Sequence, residues 1–386
     1  MSFSGVFIAG ILLNNKEFYY FSFIFSLLQA SLMVSYSYIS NPMLVFIIKE
    51  SHKVKNEYLS FNIIFSLISS LFLSLFLSLL IVNKFSEFNF LEIFLLLWLV
   101  ITSWVTYDLY RKYLFSLEQY FKLFKATSYV VTGYFLSLLI LNYFNQSFFI
   151  IFIAMVISLV LVQIATFLKS KYKVRLNVEQ AKSITIGNYG FAKWTVLSAI
   201  GIWFAGQGLL IAGDSFLTTQ EFNSIRLLLS FIGLTNLITT VIENKLIISF
   251  GKTSCPQKLR ESLKQEFSTI LMISIVLTAF VFILSYLSFN YIYAEYKSVY
   301  MTISPIILTA SFFALSKPFV ALLKTLHMTK EIFKSIIIAI IGTLLCLIVG
   351  RGYGINAIIC AFLIGPIIIF SYCALSSHNK LKVIEK

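Results

Sequence analysis

Charge is scarce in this sequence: only 12% of its 386 residues are Asp, Glu, Lys or Arg. That is about half the share that keeps a soluble chain of this length wetted, so a large soluble enzyme is excluded. Acids are the scarcer sign, 16 against 30 bases, and no Asp or Glu falls at mid-depth in any apolar run of the first half. Glu92 and Asp214 lie at outer edges of such runs, Asp108 and Glu243 at inner edges. Ion coupling through an intramembrane acid has little to build on there. With 5 prolines and 16 glycines, collagen-like and low-complexity chains are excluded too. The four cysteines (Cys255, Cys346, Cys360, Cys373) show no CxxC spacing, and His52, His327 and His378 are scattered. No metal site and no cofactor are expected. There is no phosphate-binding glycine loop and no dinucleotide fingerprint, so no nucleotide-driven motor resides in the chain.

What is abundant is apolar: 59% of residues, gathered into continuous runs rather than the alternation of an outer-membrane barrel. A membrane-crossing helix needs roughly 20 such residues. Twelve runs qualify or nearly so: 1–13, 18–40, 59–82, 90–107, 126–142, 148–168, 194–213, 224–242, 267–289, 301–323, 335–350 and 355–375. The first is short and lacks the basic start and small-residue cleavage site of a signal peptide. It reads as a short, tilted or half-inserted helix, or as one whose beginning is missing. The expected fold class is an all-α polytopic membrane protein of twelve transmembrane helices in two six-helix bundles with a central cleft.

The net charge of +14 would suit a nucleic-acid partner, but its placement argues against one. Of the 30 Lys and Arg, 24 lie in the loops after even-numbered runs and in the tail; five (Lys16, Lys84, Arg226, Lys297, Arg351) follow odd-numbered runs. This alternation never reverses along the chain. It predicts twelve spans with both termini in the cytoplasm, and attraction to anionic lipid follows as a by-product.

The polar stretch 169–193 divides the spans six and six. Glu17-Phe18 with Ser26 matches Glu221-Phe222 with Ser230 at an offset of 204, and YLFSL at 113–117 matches LLKTL at 322–326 at 209. These matches predict a parallel repeat: an N-terminal bundle over 1–168, a basic cytoplasmic linker over 169–193, a C-terminal bundle over 194–376 and a cytoplasmic tail over 377–386.

Ionisable and polar residues inside apolar runs are costly there, and they mark the candidate site. Lys317 lies in the tenth run, on a face of small and basic residues that continues through Ala310, Ala314, Ala321 and Lys324. It is either a cation facing an anionic cargo or a lysine snorkelling to the cytoplasmic interface. Arg226 begins the eighth run, whose polar stripe includes Asn236, Glu243 and Asn244. That stripe meets either a cavity or other helices. The seventh run carries Lys193 and Trp194 at its start and Gln207 further in.

Particular residues carry a family resemblance. NYGFAKW (188–194) is followed by Gly201, Trp203 and Gly206. EFNSIR (221–226) precedes a polar helix ending in Ile242-Glu243-Asn244, and TYDLYRKYLF (106–115) supplies Asp108 and Arg111 after the fourth run. Over nearly its whole length the chain resembles the bacterial polysaccharide and O-antigen flippases, a branch of the multidrug/oligosaccharidyl-lipid/polysaccharide exporter superfamily. The resemblance implies a non-enzymatic flippase of the bacterial inner membrane. It would carry a polyprenyl-diphosphate-linked oligosaccharide, the repeat unit of an O-antigen, capsule or exopolysaccharide, to the outer leaflet by alternating access. Arg226, Lys317 and Lys193 would then bind phosphate. Gln207, Asn236, Glu243 and Asn244 would meet sugar hydroxyls or hold helices together. Asp108 and Arg111 would form the cytoplasmic-loop motif. The implied partners are the lipid-linked oligosaccharide, the bilayer, and polysaccharide polymerase and chain-length proteins, with no nucleic acid. Two other readings stay open: a cation-coupled multidrug antiporter of the same superfamily, and a membrane polysaccharide polymerase or ligase. The latter class carries a long outward loop, which this sequence does not offer.

Overall fold

The structure is a computed structural model describing residues 2–40, 42, 52–117, 119–144, 147–169, 178–251, 256–326 and 328–385. Cys255, His327 and residues 170–177 of the expected linker lie outside this set. Among the described residues all regular structure is helical. In hydrocarbon only a helix satisfies its own backbone groups within one segment, and each continuous apolar run folds accordingly.

Twelve main helices follow the chain: α1 (Ser2–Leu12), α2 (Asn15–Ser35), α3 (His52–Lys84), α4 (Phe90–Ser116), α5 (Tyr120–Phe144), α6 (Phe148–Lys169), α7 (Val178–Trp203), α8 (Thr219–Gly251), α9 (Pro256–Tyr291), α10 (Leu308–Thr325), α11 (Thr329–Val349) and α12 (Ile355–Glu385). Two π-helical turns interrupt the series, Tyr36–Ser40 after α2 and Phe204–Gly208 after α7. Eleven helical stretches among the described residues are long and apolar enough to cross a bilayer. They correspond to runs two to twelve. The first run forms α1, 11 residues long, which at ~1.5 Å per residue reaches about 17 Å and falls short of the hydrocarbon thickness. α7 begins at Val178, inside the stretch read from sequence as linker.

Helix starts explain the first sequence repeat. Asn14 Oδ1 accepts the Glu17 backbone N–H at 2.9 Å, capping α2. At the position 204 residues later, Thr218 and Glu221 form a reciprocal capping box on α8: Thr218 N donates to Glu221 Oε2 at 2.8 Å and Glu221 N to Thr218 Oγ1 at 3.3 Å. The following aromatics, Phe18 and Phe222, are both fully buried. The match therefore preserves a helix cap and a buried ring.

Packing divides the chain into two compact units, Phe23–Ile200 and Met1–Ser22 with Gly201–Lys386. In the first, α3 pairs with α4, α5 with α6, and α4 also with α6. The α3 face is a ladder of Ser66, Ser70, Ser74 and Ser78, all buried. Each hydroxyl donates to the carbonyl three residues earlier at 2.7–3.0 Å. Ser70 also meets Thr102 of α4 at 2.6 Å. Small residues every fourth position let two helices approach closely, which replaces the hydrophobic driving force that lipid removes. In the second unit α10 is central, packing on α8, α9 and α12, while α11 lies against α12 and α1 against α8.

Candidate functional site

Spacing on α10 creates a cluster of charge in the second unit. Lys317 and Lys324 are seven residues apart, two helical turns, so both ammonium groups leave the same face. They converge on one carboxylate of α8: Lys317 Nζ donates to Glu243 Oε2 at 2.7 Å and Lys324 Nζ to Glu243 Oε1 at 2.5 Å. The Glu243 side chain is only 8% exposed, against 22% for Lys317 and 43% for Lys324. Beside them lies an apolar cluster of Leu246, Phe250, Leu259, Leu263, Ala321 and Leu322. A charge in such surroundings is tolerated only when paired. The triad carries one net positive charge, and its acid is held by two bases from one helix.

Arg226 lies elsewhere on α8. Seventeen residues separate it from Glu243, about 25 Å along the helix. It is 1% exposed and its Nη1 donates to Gln207 Oε1 in the π-helical turn after α7. Such turns aim side chains that a regular helix would hold at other angles. Arg226 and Gln207 are thus brought together, as are Lys317 and Glu243, but Arg226 and Lys317 are not. Near the start of α2 and α8 a further polar set joins remote parts of this unit. Tyr19 Oη donates to Asp214 Oδ1 at 2.8 Å, Asn15 Nδ2 to Glu295 Oε2 at 3.2 Å, and Asn223 Nδ2 to the Asn15 carbonyl at 3.0 Å. Tyr293, almost fully buried, donates to the Phe7 carbonyl at 2.7 Å, fixing α1; burial raises its hydroxyl pKa.

Unit 23–200 has its own ionic node. Ser40, the last residue of the π-helical turn, donates to Asp108 Oδ2 at 2.6 Å. Lys112 Nζ lies 3.0 Å from the same oxygen and donates to Ser40 Oγ at 2.9 Å. Arg111, the basic residue that the loop motif singles out, stands 3.9 Å from Asp108 with its side chain 49% exposed. The motif's acid is therefore engaged chiefly by Lys112, one helical turn away on the same face, and by Ser40. Another buried node joins α3 to α7: Tyr58 Oη donates to Asn188 Oδ1 at 2.5 Å, and Asn188 Nδ2 to Asn62 Oδ1 at 3.5 Å. Asn188 opens the NYGFAKW stretch.

Of the remaining candidates, Lys193 on α7 and Asn236 on α8 are exposed. Asn244 follows Glu243 on α8 and its side chain is outside the described set. Sequence reasoning underweighted Lys324, Lys112 and Ser40. The signal for the lysines was available as spacing: seven residues from Lys317 and four from Asp108.

No family profile matches the chain, and no curated protein does. Solved structures do. The chain is similar to an inward-facing multidrug resistance MATE family transporter of the MOP superfamily, with a TM-score of 0.69 at 12% identity over 100% of this chain and 94% of that one. It is similar to the lipid II flippase MurJ in an inward closed conformation, with 0.68 at 17% identity over 97% and 85%. It is also similar to the eukaryotic MATE transporter AtDTX14, with 0.68 at 13% identity over 96% and 89%. At such identities the likeness establishes the fold, two bundles of membrane helices.

Proposed function

We propose that this chain is a flippase that moves a polyprenyl-diphosphate-linked oligosaccharide across the bacterial inner membrane by alternating access, with both termini in the cytoplasm and without enzymatic turnover. The observation that carries the reading is the convergence of Lys317 and Lys324 on the single acid Glu243. A diphosphate offers several acceptor oxygens and two or more negative charges, so it can take both ammonium groups, while Glu243 holds them in place between cargoes. A sugar head group cannot cross hydrocarbon unaided, whereas a polyprenyl tail can remain in lipid. Arg226, 1% exposed, and Gln207 brace α8 against the end of α7 in this reading, and exposed Lys193 supplies a further cation. Polymerase and chain-length proteins would act on the delivered repeat unit.

The fold likeness to multidrug transporters supports a second reading, a cation-coupled drug antiporter. The triad weighs against it, because an organic cation would have to displace two lysines from the one acid. In cells that assemble a surface polysaccharide through this protein, Lys317→Ala should lower the polysaccharide severalfold at unchanged protein abundance. Unaltered polysaccharide with altered drug tolerance would instead support the antiporter.

A further inference from the structure

The ends of α11 and α12 flank an open groove of about 450 Å³ between the first turn of α11 and the last turns of α12. Its lining joins opposites. Leu375 is large, apolar and 64% exposed, while Tyr372, Ser376, Asn379, Lys380 and Glu331 are polar. Glu331 is already occupied: Lys334 Nζ donates to one of its carboxylate oxygens at 2.7 Å and Tyr372 Oη to the other at 2.8 Å. Its charge is matched by Lys334. Lys380 in the lining, with exposed Lys330 on α11 and Lys382 on α12, then leaves this end of the helix pair positive. Ser376 and Asn379 add a hydroxyl and an amide that can donate to phosphate oxygens. Further along α11, Ile338 and Ile341 are exposed, and with Leu375 in the lining they give a surface suited to acyl chains.

We propose that this groove binds the headgroup of a resident anionic phospholipid at the cytoplasmic face. A largely apolar groove between membrane helices, with Lys380 in its lining and further lysines around its rim, matches an amphiphile with a phosphate at one end and hydrocarbon at the other. The occupant is a membrane lipid rather than free phosphate, because Leu375 and the exposed isoleucines have no use for an inorganic ion. The site is separate from the Glu243 triad, and the inference rests on the positive-inside orientation, not on the identity of the transported cargo.

The test uses the full-length chain in mild detergent, titrated with phosphatidylglycerol and with phosphatidylcholine and read by native mass spectrometry. Phosphatidylglycerol should bind in preference. Lys380→Glu should weaken it about tenfold, Ser376→Trp should exclude it by filling the groove, and Lys380→Arg should retain it. A photoactivatable phosphatidylglycerol on the unaltered protein should crosslink within 328–334 and 372–380, a readout that needs no variant to fold. Crosslinks confined elsewhere, equal binding of the two lipids, or displacement of phosphatidylglycerol by equimolar pyrophosphate would each overturn the assignment.

Discussion

Asp108 and Lys317 occupy positions 209 residues apart, the offset that relates the loops after α4 and α10, and they carry opposite charges. Each is bonded to a preceding helical element of its own unit: Asp108 to Ser40 after α2 at 2.6 Å, and Lys317 to Glu243 of α8 at 2.7 Å. The two positions each hold a polar pin, with opposite sign. In unit 23–200 the acid is on α4. In the other unit the bases are on α10 and the acid is on α8.

The Glu243 triad should behave as a coupled set. Removing Glu243 alone leaves two ammonium groups facing an apolar cluster, so Glu243→Met should destabilise the protein by about 2–3 kcal/mol. Replacing Lys317 by Met as well removes one of the orphaned charges. The double variant should recover part of the loss, with a coupling of about 1–2 kcal/mol. Denaturant unfolding of the four species in detergent measures this directly; strictly additive effects would mean that the pair contributes nothing.

At Asp108 the two neighbouring bases should separate cleanly. Lys112→Ala breaks a contact whose partners are both mostly buried, and should cost about 1–2 kcal/mol. Arg111→Ala removes a long contact on a half-exposed side chain, and should fall within about 0.5 kcal/mol of the parent. Thermal melts of the two variants decide the order. A larger loss for Arg111 would contradict the assignment of Lys112 as the main partner.

Much of the fold was legible because lipid imposes few solutions. An apolar run of sufficient length must become a helix, so runs two to twelve could be placed before any coordinates. The match of Glu17-Phe18 with Glu221-Phe222 at an offset of 204 marked two helix starts, though not their caps Asn14 and Thr218. The candidate site was only partly legible. Charges in apolar runs stand out individually, yet sequence does not encode which of them meet across helices. Arg226 and Lys317 looked like one phosphate site, but Arg226 and the partner of Lys317, Glu243, are separated by about half the length of α8, and the two bases have different partners. Lys324 could be placed on the Lys317 face, but not against its partner Glu243, which lies 81 residues away.

The serine ladder of α3 gives a packing test. Ser74 is fully buried, whereas its neighbour Leu75 is 40% exposed. Ser74→Leu should wedge α3 from its close neighbour and cost about 1–3 kcal/mol, while Leu75→Phe should be nearly neutral. Unfolding midpoints of the two variants provide the comparison, and equal effects would show that the ladder is not a packing face.

Orientation can be checked with reporters at two sites. A periplasm-active enzyme fused at Ser86, between α3 and α4, and a cytoplasm-active one fused at Lys182 on α7 should both give signal. Signal in the reverse compartments would invert the topology read from Lys and Arg placement.

The central claim is that the protein carries an anionic, lipid-linked head group across the membrane. The most direct measurement is protein-dependent movement of a fluorescent polyprenyl-diphosphate oligosaccharide in proteoliposomes, followed by loss of access to an external quencher. The account predicts movement that depends on the protein and falls at least severalfold in Lys317→Ala. Head groups that stay in their original leaflet, in vesicles where the same protein moves an organic cation, would contradict it.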